Sequence, residues 1–212
     1  ENQIFFKYYG GFMRKSLKAF HHFFVQDDNS KQLLTTIHFE NISVVGDTRF
    51  DRVSEILEQD NSLDFIKEFK DNTYTVVAGS TWEEDEALFV NYINHVASEE
   101  EKFIIAPHNI KQDSIIQLQK ALHNKAVLFS EKSNKNLKEY QVFIIDTIGV
   151  LTKIYSAADT AYVGGGLKTG LHNILEPATF GVPIVIGNNY GKFKEAVDLV
   201  TLKGVVSIEN QE

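Results

Sequence analysis

The sequence predicts an α/β protein built on a doubly wound parallel sheet, a Rossmann-like fold. Two observations predict it. Short runs of β-branched and aromatic residues alternate with longer segments of helical period. Those runs are apolar at every position rather than at every second one, as in strands covered on both faces. Right-handed crossovers then wind the sheet in both directions from its middle.

The elements follow in order. Residues 23–26 and 42–45 read as strands, with a helix near 29–34 between them. Residues 48–72 are helical with a break near Asn61. A regular series begins after that. Strands are predicted at 74–78, 102–106, 126–129, 141–145, 160–163, 183–186 and 204–207. Helices are predicted at 83–97, 112–123, 148–157, 173–180 and 193–202. Residues 1–46 hold too few elements for a domain and read as the tail of a preceding one. The division expected is therefore 1–50, the end of an amino-terminal domain with its linker, and 51–212, a nucleotide-binding domain. The acidic stretch ending at Glu212 reads as the start of another helix, so this domain is expected to be truncated at its carboxy end.

Composition narrows the function. The 212 residues carry a formal net charge of −8 and are 43% hydrophobic, enough for a full core. There is no cysteine, which excludes a disulfide scaffold, thiolate metal sites and a cysteine nucleophile. The acidic balance argues against nucleic acid as the main partner. No apolar run approaches the ~20 residues of a membrane span, and residues 1–20 lack the layout of a signal peptide. Those first twenty residues are basic, net +3 against −11 for the remainder, and rich in aromatics such as Tyr8, Tyr9 and Phe12. Such a segment either packs on a neighbouring domain or lies at a membrane surface.

In a doubly wound sheet ligands bind at the carboxyl ends of the strands. That selects the loops at 79–83, 107–111, 146–149, 164–173 and 187–192. The most informative segment is 161–178, Ala-Tyr-Val-Gly-Gly-Gly-Leu-Lys-Thr-Gly-Leu-His-Asn-Ile-Leu-Glu-Pro-Ala. A buried strand ends in three glycines, whose backbone amides can approach a ligand closely. His172 and Asn173 then open a helix, whose amino end attracts phosphate. Glu176 either completes a capping box with Asn173 or accepts hydrogen bonds from ribose hydroxyls. The glycine spacing is neither the dinucleotide fingerprint nor a Walker loop. Ser80 and Thr81 either cap a helix or touch phosphate or sugar. His108 ends another strand as a loop residue or a ligand. Gly149 permits an edge-on contact between backbone and base. Arg49, in Gly46-Asp-Thr-Arg-Phe-Asp51, either pairs with the acids around it or reaches an anionic substrate in an interdomain cleft.

Taken together these segments resemble the 3-deoxy-D-manno-octulosonic acid (Kdo) transferases of lipopolysaccharide synthesis. The matching pieces run in family order: Phe-Val-Gln at 24–26, Gly-Asp-Thr-Arg-Phe-Asp at 46–51, Gly-Ser-Thr-Trp at 79–82, Ala-Pro-His at 106–108, Asp-Thr-Ile-Gly at 146–149, Ala-Asp-Thr-Ala-Tyr-Val-Gly-Gly-Gly at 158–166 and Gly-Leu-His-Asn-Ile-Leu-Glu-Pro-Ala at 170–178.

The resemblance implies the donor domain of a GT-B glycosyltransferase that transfers Kdo, with inversion, from CMP-Kdo to a lipid A precursor. It places the CMP contacts on Pro107, His108, Ile148, Gly149, Val150, Asn173, Ile174, Leu175 and Glu176. Ser80, Thr81, Gly165, Gly166 and His172 are further candidates from the loops. It places a leaving-group stabiliser on Arg49, and the catalytic base in an amino-terminal part outside this chain, so the fragment alone is expected to be soluble and inactive. Neither a metal nor a cofactor is implied. The amides of residues 164–173 are expected to face the leaving phosphate. The partners implied are CMP-Kdo, a lipid A precursor through the missing domain and the cytoplasmic face of the bacterial inner membrane. The sequence departs from many relatives at His108 (Arg), Val150 (Glu) and Arg49 (Lys). Two alternatives remain open: a UDP-sugar transferase or epimerase of the same architecture, and a non-catalytic nucleotide-binding module.

Overall fold

The computed structural model describes residues 3–123 and 125–210. The helix expected to begin near the carboxy end falls partly on residues 211 and 212, outside the described residues. Two compact units are present, dividing between Ser54 and Glu55.

The smaller unit contains α1 (Gly11–Leu17), β1 (Phe23–Val25), α2 (Asp28–Thr36), β2 (Ile42–Val44) and α3 (Thr48–Ser54). β1 and β2 pair in parallel, Phe23 opposite Ile42 and Val25 opposite Val44. Asp27 starts α2 by accepting the Ser30 N–H on its carboxylate at 2.7 Å, satisfying one of the amides a helix leaves open.

The larger unit begins with a 3-10 turn and α4 (Asp64–Lys70). It continues through β3 (Tyr74–Thr81), α5 (Glu83–His95), β4 (Glu101–Pro107), α6 (Gln112–Ala121), β5 (Ala126–Leu128), β6 (Val142–Ile144) and α7 (Leu151–Ile154). Next come β7 (Thr160–Val163), α8 (Leu175–Thr179), β8 (Ile184–Gly187), α9 (Lys194–Thr201) and β9 (Val205–Ile208). The seven strands from β3 onward form one sheet in the order β5-β6-β4-β3-β7-β8-β9, and each strand pairs in parallel with its neighbours.

The continuous apolar runs have a direct structural cause. Successive side chains of a strand point to opposite faces, and here both faces are covered. Val77, Ile104, Phe143, Val163 and Ile186 join Ile66 and Phe69 of α4, Ile154 of α7 and Ala196 of α9 in one core. Ala78, Phe103, Ile105, Ile144 and Tyr162 join Phe89 and Ile93 of α5 and Ile115 and Leu118 of α6 in the other. Burying each Val, Ile, Leu or Phe side chain among these contributes about 1.5–3 kcal/mol. Short strands of three or four residues suffice because neither face is left to water.

Two predicted helices start later than expected. The helix expected over 148–157 begins at Leu151 and tightens into a 3-10 turn at Tyr155–Ala157. Gly149 has φ +91°, which no right-handed helix accommodates, so residues 148–150 form a loop. The helix expected over 173–180 is only Leu175–Thr179. Pro177 sits in its first turn, where the missing N–H costs nothing. Among the described residues no helix is long and apolar enough to cross a membrane.

Candidate functional site

From β3 the chain crosses to β4 on one side, and later to β7 on the other. The carboxyl ends of β3 and β7 therefore flank the crevice where crossovers diverge, the usual ligand position in such sheets. The Gly-Ser-Thr-Trp and triple-glycine segments lie at these two strand ends.

At the end of β3 the pairing register with β4 slips between Gly79 and Thr81, and Ser80 adopts φ +54°. Thr81 is buried and turned inward, its hydroxyl donating to Glu86 at 3.1 Å. Burial of Glu86 holds its carboxyl above the usual range, against the opposing effect of that hydrogen bond. The His108 N–H donates to the Thr81 carbonyl at 2.8 Å, which ties the end of β4 to the end of β3.

Asp85 is the buried anchor of the crevice. Its carboxylate accepts the backbone N–H of Trp82 at 2.9 Å, the backbone N–H of Gly165 at 2.9 Å and the hydroxyl of Tyr162 at 2.6 Å. It thus begins α5 and holds the glycine turn with one group. A Cβ on Gly164 would meet Asp85 Oδ2 and Thr81 Cα at 2.8 Å, and one on Gly166 would meet the Gly187 nitrogen at 2.8 Å. The glycines at 164 and 166 serve close packing between strand ends.

This narrows one expectation. The N–H groups of Gly164, Gly165, Gly170 and His172 donate to Gly79 O, Asp85 Oδ2, Gly165 O and Gly164 O. These four amides hold the turn together, so they do not form a free amide cradle for a phosphate. Gly165 and Gly166 are both buried.

Above this turn three rings stack. Trp82 and His108 have centroids 4.6 Å apart, and His108 and His172 4.4 Å apart. The Trp82 indole Nε1 donates to His172 Nε2 at 2.8 Å. Burial pushes the His172 pKa down, the neighbouring His108 pushes it the same way, and Asp85 opposes both.

The second group of expected contacts is assembled around Glu176. Its carboxylate accepts the Asn173 side-chain amide at 3.0 Å and the Thr152 hydroxyl at 2.8 Å. Asn173 Oδ1 in turn accepts the Leu175 N–H at 3.2 Å. The capping-box expectation is corrected: Glu176 binds the Asn173 side chain, and the residue preceding α8 is Ile174. The Thr152 bond joins this turn to the segment that carries Ile148, Gly149 and Val150. Ile148 is 81% exposed, an apolar side chain held in water. Ile174 and Leu175 point into the core, which leaves only their backbone to a ligand. Pro107 is half-buried at the end of β4, and His108 is exposed.

Arg49 lies in the smaller unit. Its Nε and Nη2 donate to Asp47 Oδ2 at 2.8 and 2.5 Å, and its backbone N–H donates to Asp47 Oδ1 at 2.9 Å. The guanidinium holds the Asp47 carboxyl below the usual carboxylate range. The pairing with a nearby acid, one of the two readings open from sequence, is present.

Trp82 and Asp85 are the residues that sequence reasoning missed. Trp82 is the only tryptophan of the chain and directly follows Gly-Ser-Thr, a signal that was available. Asp85 is one of four consecutive acids, and nothing local marks it as the buried one.

No family model matches the chain. It is 28% identical over 173 residues to the 3-deoxy-D-manno-octulosonic acid transferase of Chlamydophila psittaci, covering 78% of this chain and 39% of that protein. It is 26% identical over 208 residues to the enzyme of the same name from Rickettsia typhi, covering 95% and 44%. The chain therefore spans less than half the length of these relatives. Among solved structures, the C-terminal CMP-Kdo binding domain of WaaA from Acinetobacter baumannii matches with a TM-score of 0.59, at 22% identity over 76% of this chain and 82% of that one. In sequence this chain is similar to proteins named 3-deoxy-D-manno-octulosonic acid transferase, and its Rossmann-like fold matches that of the C-terminal CMP-Kdo binding domain of WaaA.

Proposed function

We propose that this chain is the CMP-Kdo-binding, GT-B-type domain, with the end of the acceptor domain, of an inverting glycosyltransferase. The whole protein moves Kdo from CMP-Kdo to a lipid A precursor at the cytoplasmic face of the inner membrane. One observation carries this reading. The segment most specific to the resemblance, 164–178, lies at the crevice where the crossovers diverge, with Asn173 and Glu176 bonded to each other and, through Thr152, to the 148–150 loop.

In this reading the nucleoside lies across the carboxyl ends of β3, β4, β6 and β7. Ile148 and the backbone at Gly149 and Val150 meet the base, and Glu176 accepts from the ribose. The rim at Pro107, His108 and His172 faces the phosphate. The acceptor hydroxyl attacks the anomeric carbon of Kdo, the bond to phosphate oxygen breaks on the opposite side, and CMP leaves with that electron pair. Charge builds on the leaving phosphate as the bond breaks. Arg49 is assigned the stabilisation of that charge, an interaction that strengthens in the transition state. The base that takes the acceptor proton belongs to the part of the protein outside this chain.

Calorimetry with CMP and UDP tests the nucleotide assignment. CMP binding tighter than UDP by tenfold or more is expected, and equal or reversed affinities overturn it. A transfer assay with CMP-Kdo and lipid A precursor is expected to show no turnover by this chain alone. Robust turnover by the chain would place the base within it.

A further inference from the structure

Trp82, at the end of β3, and His172, in the loop after β7, meet through a 2.8 Å hydrogen bond from indole Nε1 to imidazole Nε2. An indole N–H only donates. The bond therefore requires a lone pair on His172 Nε2, and the one proton of the neutral ring then sits on Nδ1. Nδ1 has no hydrogen-bond partner among the described residues.

Both rings are held from the main chain. The Trp82 N–H is fixed on Asp85, and the His172 N–H donates to the Gly164 carbonyl at 3.2 Å. The ring planes of Trp82 and His172 lie 11° apart, and His108 stacks against both. The titratable groups facing His172 are His108, from the end of β4, and Asp85, from α5. The first disfavours a second positive charge and the second favours it, while burial favours the neutral ring. The amides of Gly164, Gly165, Gly170 and His172 are already used within the turn.

We infer that Trp82 is a positioning residue that locks His172 as the neutral Nδ1–H tautomer, so that His172 meets the anionic part of the bound nucleotide as a hydrogen-bond donor. The phosphate half of this inference rests on the CMP site proposed above; the tautomer half does not. A neutral donor keeps its proton without the desolvation cost of a buried imidazolium.

Nitrogen NMR of the histidine rings tests it, in the unaltered chain and in Trp82→Phe, which keeps a stacking ring and removes the donor. In the ligand-free chain His172 is expected to show a single Nδ1–H tautomer; a mixture there overturns the lock without any variant. Trp82→Phe is expected to convert that signal to a tautomer mixture. An unchanged Nδ1–H signal in the variant overturns the role of Trp82. Titrations with CMP and with cytidine separate the second half. Trp82→Phe is expected to weaken CMP about tenfold, the scale of a charge-assisted hydrogen bond partly lost, and to leave cytidine affinity unchanged. Equal weakening of both ligands overturns the phosphate role. If the unaltered chain binds neither ligand, the CMP site itself fails and the phosphate role fails with it, while the NMR result still decides the lock.

Discussion

The hydroxyl of Tyr155 occupies the space that a β-carbon on residue 79 would fill, so Gly79 of β3 and Tyr155 after α7 are complementary in size. Tyr155 is buried against the same face of the sheet, and burial pushes its hydroxyl pKa up, with Glu176 nearby adding to the shift. Gly79→Ala is expected to cost about 1–3 kcal/mol, the range for overpacking a dense core. In a Tyr155→Phe background the first clash disappears, though Tyr155 Cζ at 2.8 Å and Leu151 Cδ2 at 3.0 Å still crowd the new methyl. The cost of Gly79→Ala should therefore be smaller in that background. A double-mutant cycle by urea denaturation measures the coupling, and additivity of the two changes would rule the complementarity out.

Asp85→Asn tests the buried anchor. The carboxylate receives three donors, and an amide offers only one acceptor oxygen. At least one buried N–H or O–H then loses its partner. A loss of about 3 kcal/mol in unfolding free energy is expected, from hydrogen bonds to a charged group. Urea denaturation checks it; a midpoint unchanged from the parent chain would mean that the turn is held by packing alone.

The fold was legible because burial on both sheet faces makes each strand a solid apolar run. Thr160–Val163 and the paired β1 and β2 stand almost where Val, Ile, Phe and Thr predict them. Helix starts were less legible. The residues that set them, Gly149 with its positive φ and Asn173 bonded to Glu176, act through conformation and side-chain pairing rather than periodicity. Within the site, the segments were visible but their partners were not. Trp82 meets His172 across ninety residues, and Thr152 meets Glu176 across twenty-four. Such pairs follow from the strand order, which no local pattern encodes. The glycines at 164–166 read as a ligand cradle because the need for close backbone approach looks the same in sequence whether the neighbour is a phosphate or another strand end.

Glu176→Gln separates ribose binding from local structure. The carboxylate already accepts from Asn173 and Thr152, and it retains further lone pairs for a ligand. The amide has one acceptor oxygen for those partners. CMP affinity is expected to fall by about 1–3 kcal/mol, the range for losing a hydrogen bond to a charged group. Calorimetry alongside thermal melting decides between the roles. A lower melting temperature with unchanged CMP affinity would make Glu176 purely a turn residue.

His172 gives the chain a pH signature. Burial lowers its pKa in the folded chain below the value near 6.5 of an exposed histidine. As the pH falls through 6.5 the unfolded chain takes up a proton before the folded chain does, so unfolding gains and stability drops. The loss grows until the pH reaches the folded pKa and then levels off. His172→Asn keeps an acceptor for the Trp82 indole and has nothing to titrate. Melting curves at pH 7.5 and 5.5 are expected to separate more for the parent chain than for the variant. Equal separations would place His172 in an environment as open as water.

Arg49 is best tested by separating its pairing from its charge. The Asp47–Arg49 pair sits in the smaller unit with the arginine side chain 42% exposed. An ion pair that open contributes at most about 1 kcal/mol, so Arg49→Ala should leave the fold close to its original stability. The proposed reaction places a Kdo carboxylate and a departing phosphate near each other. A guanidinium stays charged at any working pH and can meet both with its planar fork. Asp47, held ionised by Arg49, fixes that fork through two of its donors. In the full-length transferase Arg49→Ala is expected to lower turnover about 100-fold or more, in the range for losing one oxyanion donor, while KM for CMP-Kdo changes far less. Arg49→Lys should recover part of that loss, since the charge returns without the fork. Asp47→Asn keeps an acceptor but loosens the fork, so it should lower turnover by less than Arg49→Ala does. Normal turnover in Arg49→Ala would leave Arg49 a surface ion-pair residue and move the stabilisation of the leaving phosphate to another cation of the protein.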